Sequence, residues 1–408
     1  MLTSALQVFL CGLAGGAVLE LLHWYNIRRD SQFPAYARSP VYWTVTVLMA
    51  VVGGGLAWLY FGSQSSSDLS GWLHWYGVWR SDTSEDTRED REYCTERLLE
   101  GLWNGLMEPV HRLAESWGVH TLPMLSQGGL QLLPLHAACR VESGRKRYLL
   151  DDYVVHYAPS AWVLRQCRLL TGAQRSERAV LCVAVKRYKD FFHLRPLRFA
   201  HTEGRDVARI TQGKLLMDGE ASAASILKNV SEFTQIHFAC HATLSSDPLA
   251  VALQLGGHGA TPRDELPVRQ IIAEVDLSGA RLISLAACES GVVEHLHSAD
   301  EYVGLPGALL TAGAAAVISS LFVVHDLASC LLWRAFYEFC WSTDLEPAAA
   351  LRAAQIWLRD LTSDELNRIA DSWQADEPAA AEEARLFALR ERPFAHPLLW
   401  SGFAYVGA

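Results

Sequence analysis

Positive charge is in short supply: 35 lysines and arginines face 45 aspartates and glutamates in 408 residues, a formal net charge of −10. A nucleic-acid-binding surface usually carries a basic excess to neutralise phosphates, so no direct nucleic-acid partner is expected. Paired cysteine spacing is also missing. The nine cysteines are odd in number and include no Cys-x-x-Cys. Several (Cys182, Cys240, Cys330) sit inside apolar runs, so they read as reduced thiols. Neither a disulfide framework nor a metal site is expected, and no other cofactor is implied. No internal repeat is present. Half of the residues are hydrophobic, ample material for a core and for more than one unit.

Charged side chains are absent from Val41 to Phe61, and Ser4 to Leu22 is a mainly apolar run interrupted by Glu20. Each run approaches the ~20 residues that span a bilayer. Gly12, Gly15 and Gly16 in the first and Gly53, Gly54 and Gly55 in the second would let two helices approach closely. Residues 1–61 are therefore expected to form a transmembrane helical hairpin, giving a multi-pass membrane protein; a basic start and a cleavage site, the marks of a signal peptide, are lacking. The connecting loop carries Arg28, Arg29 and Arg38, while 62–79 has no lysine or arginine, so the positive-inside rule puts the C-terminal part outside. A reactive thiol is kept reduced most easily in the cytosol, and a cytoplasmic C-terminal part is the reading adopted.

Residues 62–90 read as a polar linker, with Ser65, Ser66 and Ser67 and then a charged run from Ser81. Apolar residues at helical spacing follow (Leu98, Leu99, Leu102, Leu106, Val110, Leu113), with Pro109 as a kink or break. Strand-like runs then recur at Ala179–Val185, Gln235–Ala239, Arg281–Ala287 and Ala314–Leu321, separated by helical stretches such as Ala221–Val230 and Val303–Ala312. That alternation predicts an α/β fold, a mostly parallel sheet flanked by helices. The acidic stretch Asp364–Arg392 reads as a surface helical insertion with a solvated face.

Two of the apolar runs end in reactive side chains. Gln235-Ile-His-Phe-Ala-Cys-His241 closes on an imidazole and Arg281-Leu-Ile-Ser-Leu-Ala-Ala-Cys288 on a thiol. In a parallel α/β sheet the C-terminal strand ends form the reaction edge, so neighbouring strands would bring Cys288 and His241 together as a nucleophile and base. Taken alone, a cysteine at a strand end is more often a packed small hydrophobe, and a histidine a satisfied polar group. Cys240, adjacent to His241, is expected in the core.

Several blocks, in order, resemble the CHAT domain, a caspase-like peptidase module of bacterial proteins related to caspases and separases. Leu130-Gln-Leu-Leu-Pro-Leu-His-Ala-Ala138 resembles its early segment, and Tyr148 to Ser160 the strand and turn that follow. His237-Phe-Ala-Cys-His241 and Ser284-Leu-Ala-Ala-Cys-Glu-Ser-Gly291 resemble the histidine and cysteine blocks. Asp300 to Leu310, Ala312-Gly-Ala314 and Leu321 to Asp326 resemble the helix, strand and pocket loop beyond, and Pro397 to Gly407 the final strand. The resemblance covers about 91–408 and excludes the hairpin. It implies a caspase/separase-like fold and a cysteine endopeptidase that cuts a partner protein after an upstream signal, in bacterial defence or cell death; the activator is not indicated.

Cys288 would attack the scissile carbonyl, and His241 would handle the proton. The backbone amides of Cys288 and Ala242 are the candidate oxyanion donors. The family usually has His-Gly where this chain has His241-Ala242, and a Cβ at a position needing positive φ costs about 1 kcal/mol or more. Asp326, with Asp300 and Glu301, could form a substrate pocket for a basic side chain, or Asp326 could instead cap the helix starting near Leu327. The alternative function is a catalytically inactive, membrane-anchored scaffold for protein docking. A further expectation is that the enzyme cuts its own linker between Gly62 and Asp90.

Overall fold

The computed structural model describes residues 88–408 except 127–129, 132, 174–177, 187–196, 244, 246, 257–263 and 287–303. These belong to one compact unit, Glu85–Ala408. Its first helix, α1 (Arg88–Leu102), runs through a π-helical segment, Trp103–Met107, into α2 (Glu108–Ser116). Pro109 at the start of α2 explains the widened turn: proline has no N–H to donate and its ring crowds the carbonyl four residues back. The Glu108 N–H reaches back to the Trp103 carbonyl, so the expected break is a local unwinding.

The strands in chain order are β1 (Thr121–Met124), β2 (Cys139–Glu142), β3 (Arg145–Tyr148), β4 (Val154–Tyr157), β5 (Val180–Ala184), β6 (Lys214–Met217) and β7 (Gln235–Ala239). They continue with β8 (His241–Thr243), β9 (Ala252–Leu255), β10 (Asp264–Pro267), β11 (Leu282–Leu285), β12 (Ala316–Ser320) and β13 (Phe403–Gly407). Eight of them form one sheet in the order β1-β4-β13-β12-β11-β7-β5-β6. Every neighbouring pair is parallel except β12 with β13. The expected mostly parallel sheet is therefore present. β5, β7, β11, β12 and β13 are buried along their whole length, which is why their sequences are continuous apolar runs and not alternating ones.

Helices cover the sheet: α3 (Ala161–Ala173), α4 (Ala200–Thr211), α5 (Ala223–Asn229), α6 (Val268–Glu274), α7 (Leu305–Thr311), α8 (Asp326–Ser342), α9 (Pro347–Asp360), α10 (Ser363–Trp373) and α11 (Pro378–Phe387). Alternation along the strands sorts the two faces. Leu181, Val183, Ile236, Phe238, Ile283, Leu285 and Val317 join one core with residues of α5, α6 and α7, and Cys240 is fully buried in it. His237 turns to the opposite face, its ring 5.1 Å from Trp333 and 5.5 Å from Tyr337 of α8. A small antiparallel sheet, β10-β9-β8, continues from the end of β7.

The acidic stretch is helical and keeps the expected solvated face, with Asp371, Asp376, Glu382 and Glu391 exposed, while its other face is covered. The α10–α11 pair is docked, because Trp373 donates its indole N–H to Asp206 (2.9 Å) and Leu366, Ala370, Ala381 and Ala384 are buried. Its carboxylates pair with bases: Glu377 with Lys186 and Arg205, Glu383 with Arg198, Asp371 with Arg385. The early Leu-Pro-Leu-His block is also structural. His136 is buried, with Nδ1 2.8 Å from the Tyr157 hydroxyl and Nε2 3.1 Å from the Ser401 carbonyl, tying three distant segments together.

The expected membrane localisation is corrected. Among the described residues no helix is long and apolar enough to cross a membrane. The two spans expected over 1–61, and the linker of 62–87, lie outside the described residues. The two-helix anchor and the membrane as a partner have no support in the structure and are withdrawn, and self-release from a tether goes with them.

Candidate active site

The register of the sheet decides what meets at its edge. β11 lies parallel to β7 with Leu285 opposite Phe238, and the next residue, Ala286, donates its N–H to the Phe238 carbonyl (2.8 Å). On the other side of β7, Val185 donates to the Ala239 carbonyl (2.9 Å). β5, β7 and β11 therefore end level. Beyond β7 the chain bends at Cys240 and enters β8 at His241, which is partly exposed and lies opposite Gln254 of β9. Cys288, two positions past Ala286, lies outside the described residues, as do Gly291, Asp300 and Glu301.

Ala242 lies in β8 opposite Leu253 and packs against the apolar core. Among the described residues the non-glycine positions with positive φ are Ser143, Gln212, Asp218 and Asp344. Ala242 is not one of them, so its Cβ introduces no backbone strain.

A cavity opens at this edge, floored by Ala239 and Ala286 and walled by Leu197, Glu203, Asp326 and Ser329. Asp326 is the first residue of α8, but it does not cap that helix: His325 holds the cap position, without a side-chain cap hydrogen bond. Its carboxylate accepts from the Phe199 N–H instead (3.1 Å). Burial pushes the Asp326 carboxyl up to about 7, opposed by the Phe199 N–H.

Glu203 was not singled out in the sequence. It is buried on α4, 2.9 Å from Nε2 of His237, and accepts from the Ser329 hydroxyl (3.3 Å). Burial holds the Glu203 carboxyl proton well above the usual carboxylate range and lowers His237 to about 3, so the contact is a neutral hydrogen bond despite its ion-pair geometry. The only sequence signal was His237 itself, a polar residue inside an otherwise apolar strand. Burial also raises the thiols of Cys139, Cys167, Cys182, Cys330 and Cys340, which leaves them in the unreactive protonated form. No group of three or more His, Cys, Asp or Glu side chains among the described residues could hold a metal ion.

The CHAT domain model matches residues 96–408. No curated protein matches the chain. Among solved structures similar in outline is the Arg specific cysteine proteinase gingipain R, at 10% identity and a TM-score of 0.42 over 74% of this chain and 67% of that one. Another is the complex of Porphyromonas gingivalis RgpB pro- and mature domains, at 10% identity and 0.42 over 84% and 75%.

Proposed function

The chain belongs to the CHAT domain family, and from that premise we propose that it is a cysteine endopeptidase acting on a protein substrate through Cys288 and His241. The observation that carries the reading is the level ending of two adjacent parallel strands, with Ala286 bonded to Phe238, three residues before His241 and two before Cys288. His241 takes the Cys288 proton, and the thiolate attacks the scissile carbonyl carbon. The C–N bond breaks as the imidazolium returns that proton to the leaving amine, and a thioester forms. Water, deprotonated by His241, attacks the thioester and releases the carboxyl product and the thiol.

The oxyanion is held by the backbone N–H groups of Cys288 and Ala242. Extended backbone at Ala242 suits this role without strain, so the replacement of glycine gives no support to a docking-only scaffold. Asp326, beside the floor of the edge cavity, receives a basic substrate side chain. A peptidyl thiol-reactive probe and a proteomic comparison of cells expressing wild type or Cys288→Ala test the proposal together. Labelling and new protein termini are expected with wild type alone; identical patterns for both proteins would reject it.

A further inference from the structure

The small sheet beside the reaction edge carries a polar row in exact cross-strand register. His241 of β8 lies opposite Gln254 of β9, and Gln254 lies opposite Glu265 of β10. Opposed residues share a face of the ladder, so these three side chains project from the side away from Ala242, Leu253 and Leu266, which pack into the core. Gln254 is nevertheless only 1% exposed. Its Nε2 donates to the Thr243 hydroxyl (3.1 Å) and to a Glu265 carboxylate oxygen (3.3 Å). A carboxylate only accepts, which fixes the nitrogen on that side, and both amide hydrogens are used. Oε1 is left buried without a hydrogen-bond partner.

A buried amide oxygen without a donor is destabilising, by about 1–3 kcal/mol, and such an orphan calls for an explanation. The neighbour across the ladder supplies one. When His241 accepts the thiol proton it becomes an imidazolium with two N–H donors, one directed at the departing amine and a second whose charge an acceptor across the ladder stabilises. Resting on the peptidase reading above, we infer that Gln254 is a positioning residue: its Oε1 accepts the second N–H of His241 during turnover, holding the ring's tautomer and orientation, while Glu265 locks the amide in place. The role is that of a third group behind a nucleophile–base pair, supplied here by a neutral amide.

The test uses the full chain and a peptidyl probe directed at the thiol. Gln254→Leu removes the acceptor and is expected to slow labelling about tenfold or more, with probe affinity little changed and the acidic limb of the pH–rate profile moved to lower pH. Gln254→Glu puts a negative charge beside the ring and is expected to keep activity and move that limb to higher pH. Titration of the His241 imidazole by ¹⁵N NMR, assigned with His241→Gln, reads the same shifts without turnover. A Gln254→Leu protein that melts like wild type and shows the wild-type rate and limb would overturn the inference. If that variant does not fold, an unmoved His241 titration in Gln254→Glu overturns it. Failure of wild type to react with the probe rejects the peptidase reading instead, and the NMR shifts still decide whether Gln254 and His241 are coupled.

Discussion

On the proposed function, the charge state of Asp326 can be read in kinetics. With its carboxyl pushed up to about 7, it is neutral on the acid side and charged on the alkaline side. Cleavage after basic residues should therefore strengthen as pH rises through about 7, and Asp326→Asn should remove that dependence while lowering kcat/KM for basic peptides about tenfold to a hundredfold. Steady-state kinetics on lysine and arginine peptides from pH 6 to 8 check both. Glu203 makes a separate case. Glu203→Ala leaves the Ser329 hydroxyl and a ring nitrogen of His237 without partners and should cost about 1–3 kcal/mol in denaturant unfolding, whereas Glu203→Gln should cost less. His136 and His237 are held neutral, at about 4 and about 3 against 6.5 in the unfolded chain. Because protonation favours the unfolded chain, their contribution to stability is complete above 6.5 and is lost as pH falls towards those values. His136→Gln should flatten part of that acid limb in denaturation midpoints measured against pH. Neither Glu203 nor Asp326's true partner could be read from the sequence, since each depends on a residue brought over from a different element: His237 to Glu203, and the Phe199 amide to Asp326.

Strands were the most legible elements. A parallel strand buried on both faces must be a continuous apolar run, and the expected Gln235–Ala239 coincides with β7, while β5 and β12 fall inside their expected runs. The loops between them also left a signature in Gly313, which holds φ +110 where an added Cβ would lie 2.8 Å from the Ser278 nitrogen. Gly313→Ala should destabilise by about 2 kcal/mol, from left-handed backbone and contact with a neighbouring main chain, and thermal unfolding measures it. The helical, solvated character of α10–α11 was legible, but its docking was not: Glu377 and Glu383 meet bases from elsewhere in the fold, and the apolar stripe is short, made largely of alanine. The β8–β9–β10 sheet was likewise hidden, because its strands are three or four residues long and carry too little periodicity to identify.

Across the whole molecule, the proposed function depends on strand order. β11 lies directly beside β7, both parallel and level, so β7 runs into His241 at the edge where β11 ends; the α/β alternation predicted such a sheet but not which strands would be neighbours. The apolar N-terminal runs led to an expected membrane anchor; they lie outside the described residues, among which no helix is long and apolar enough to cross a membrane. The most direct measurement is a tryptic mass map of the protein after reaction with a peptidyl electrophile. The adduct is expected on Cys288 in wild type, absent in Cys288→Ala and formed far more slowly in His241→Ala. An adduct on another cysteine, or a His241→Ala protein that reacts at the wild-type rate, would mean that no thiol–imidazole pair operates at this edge.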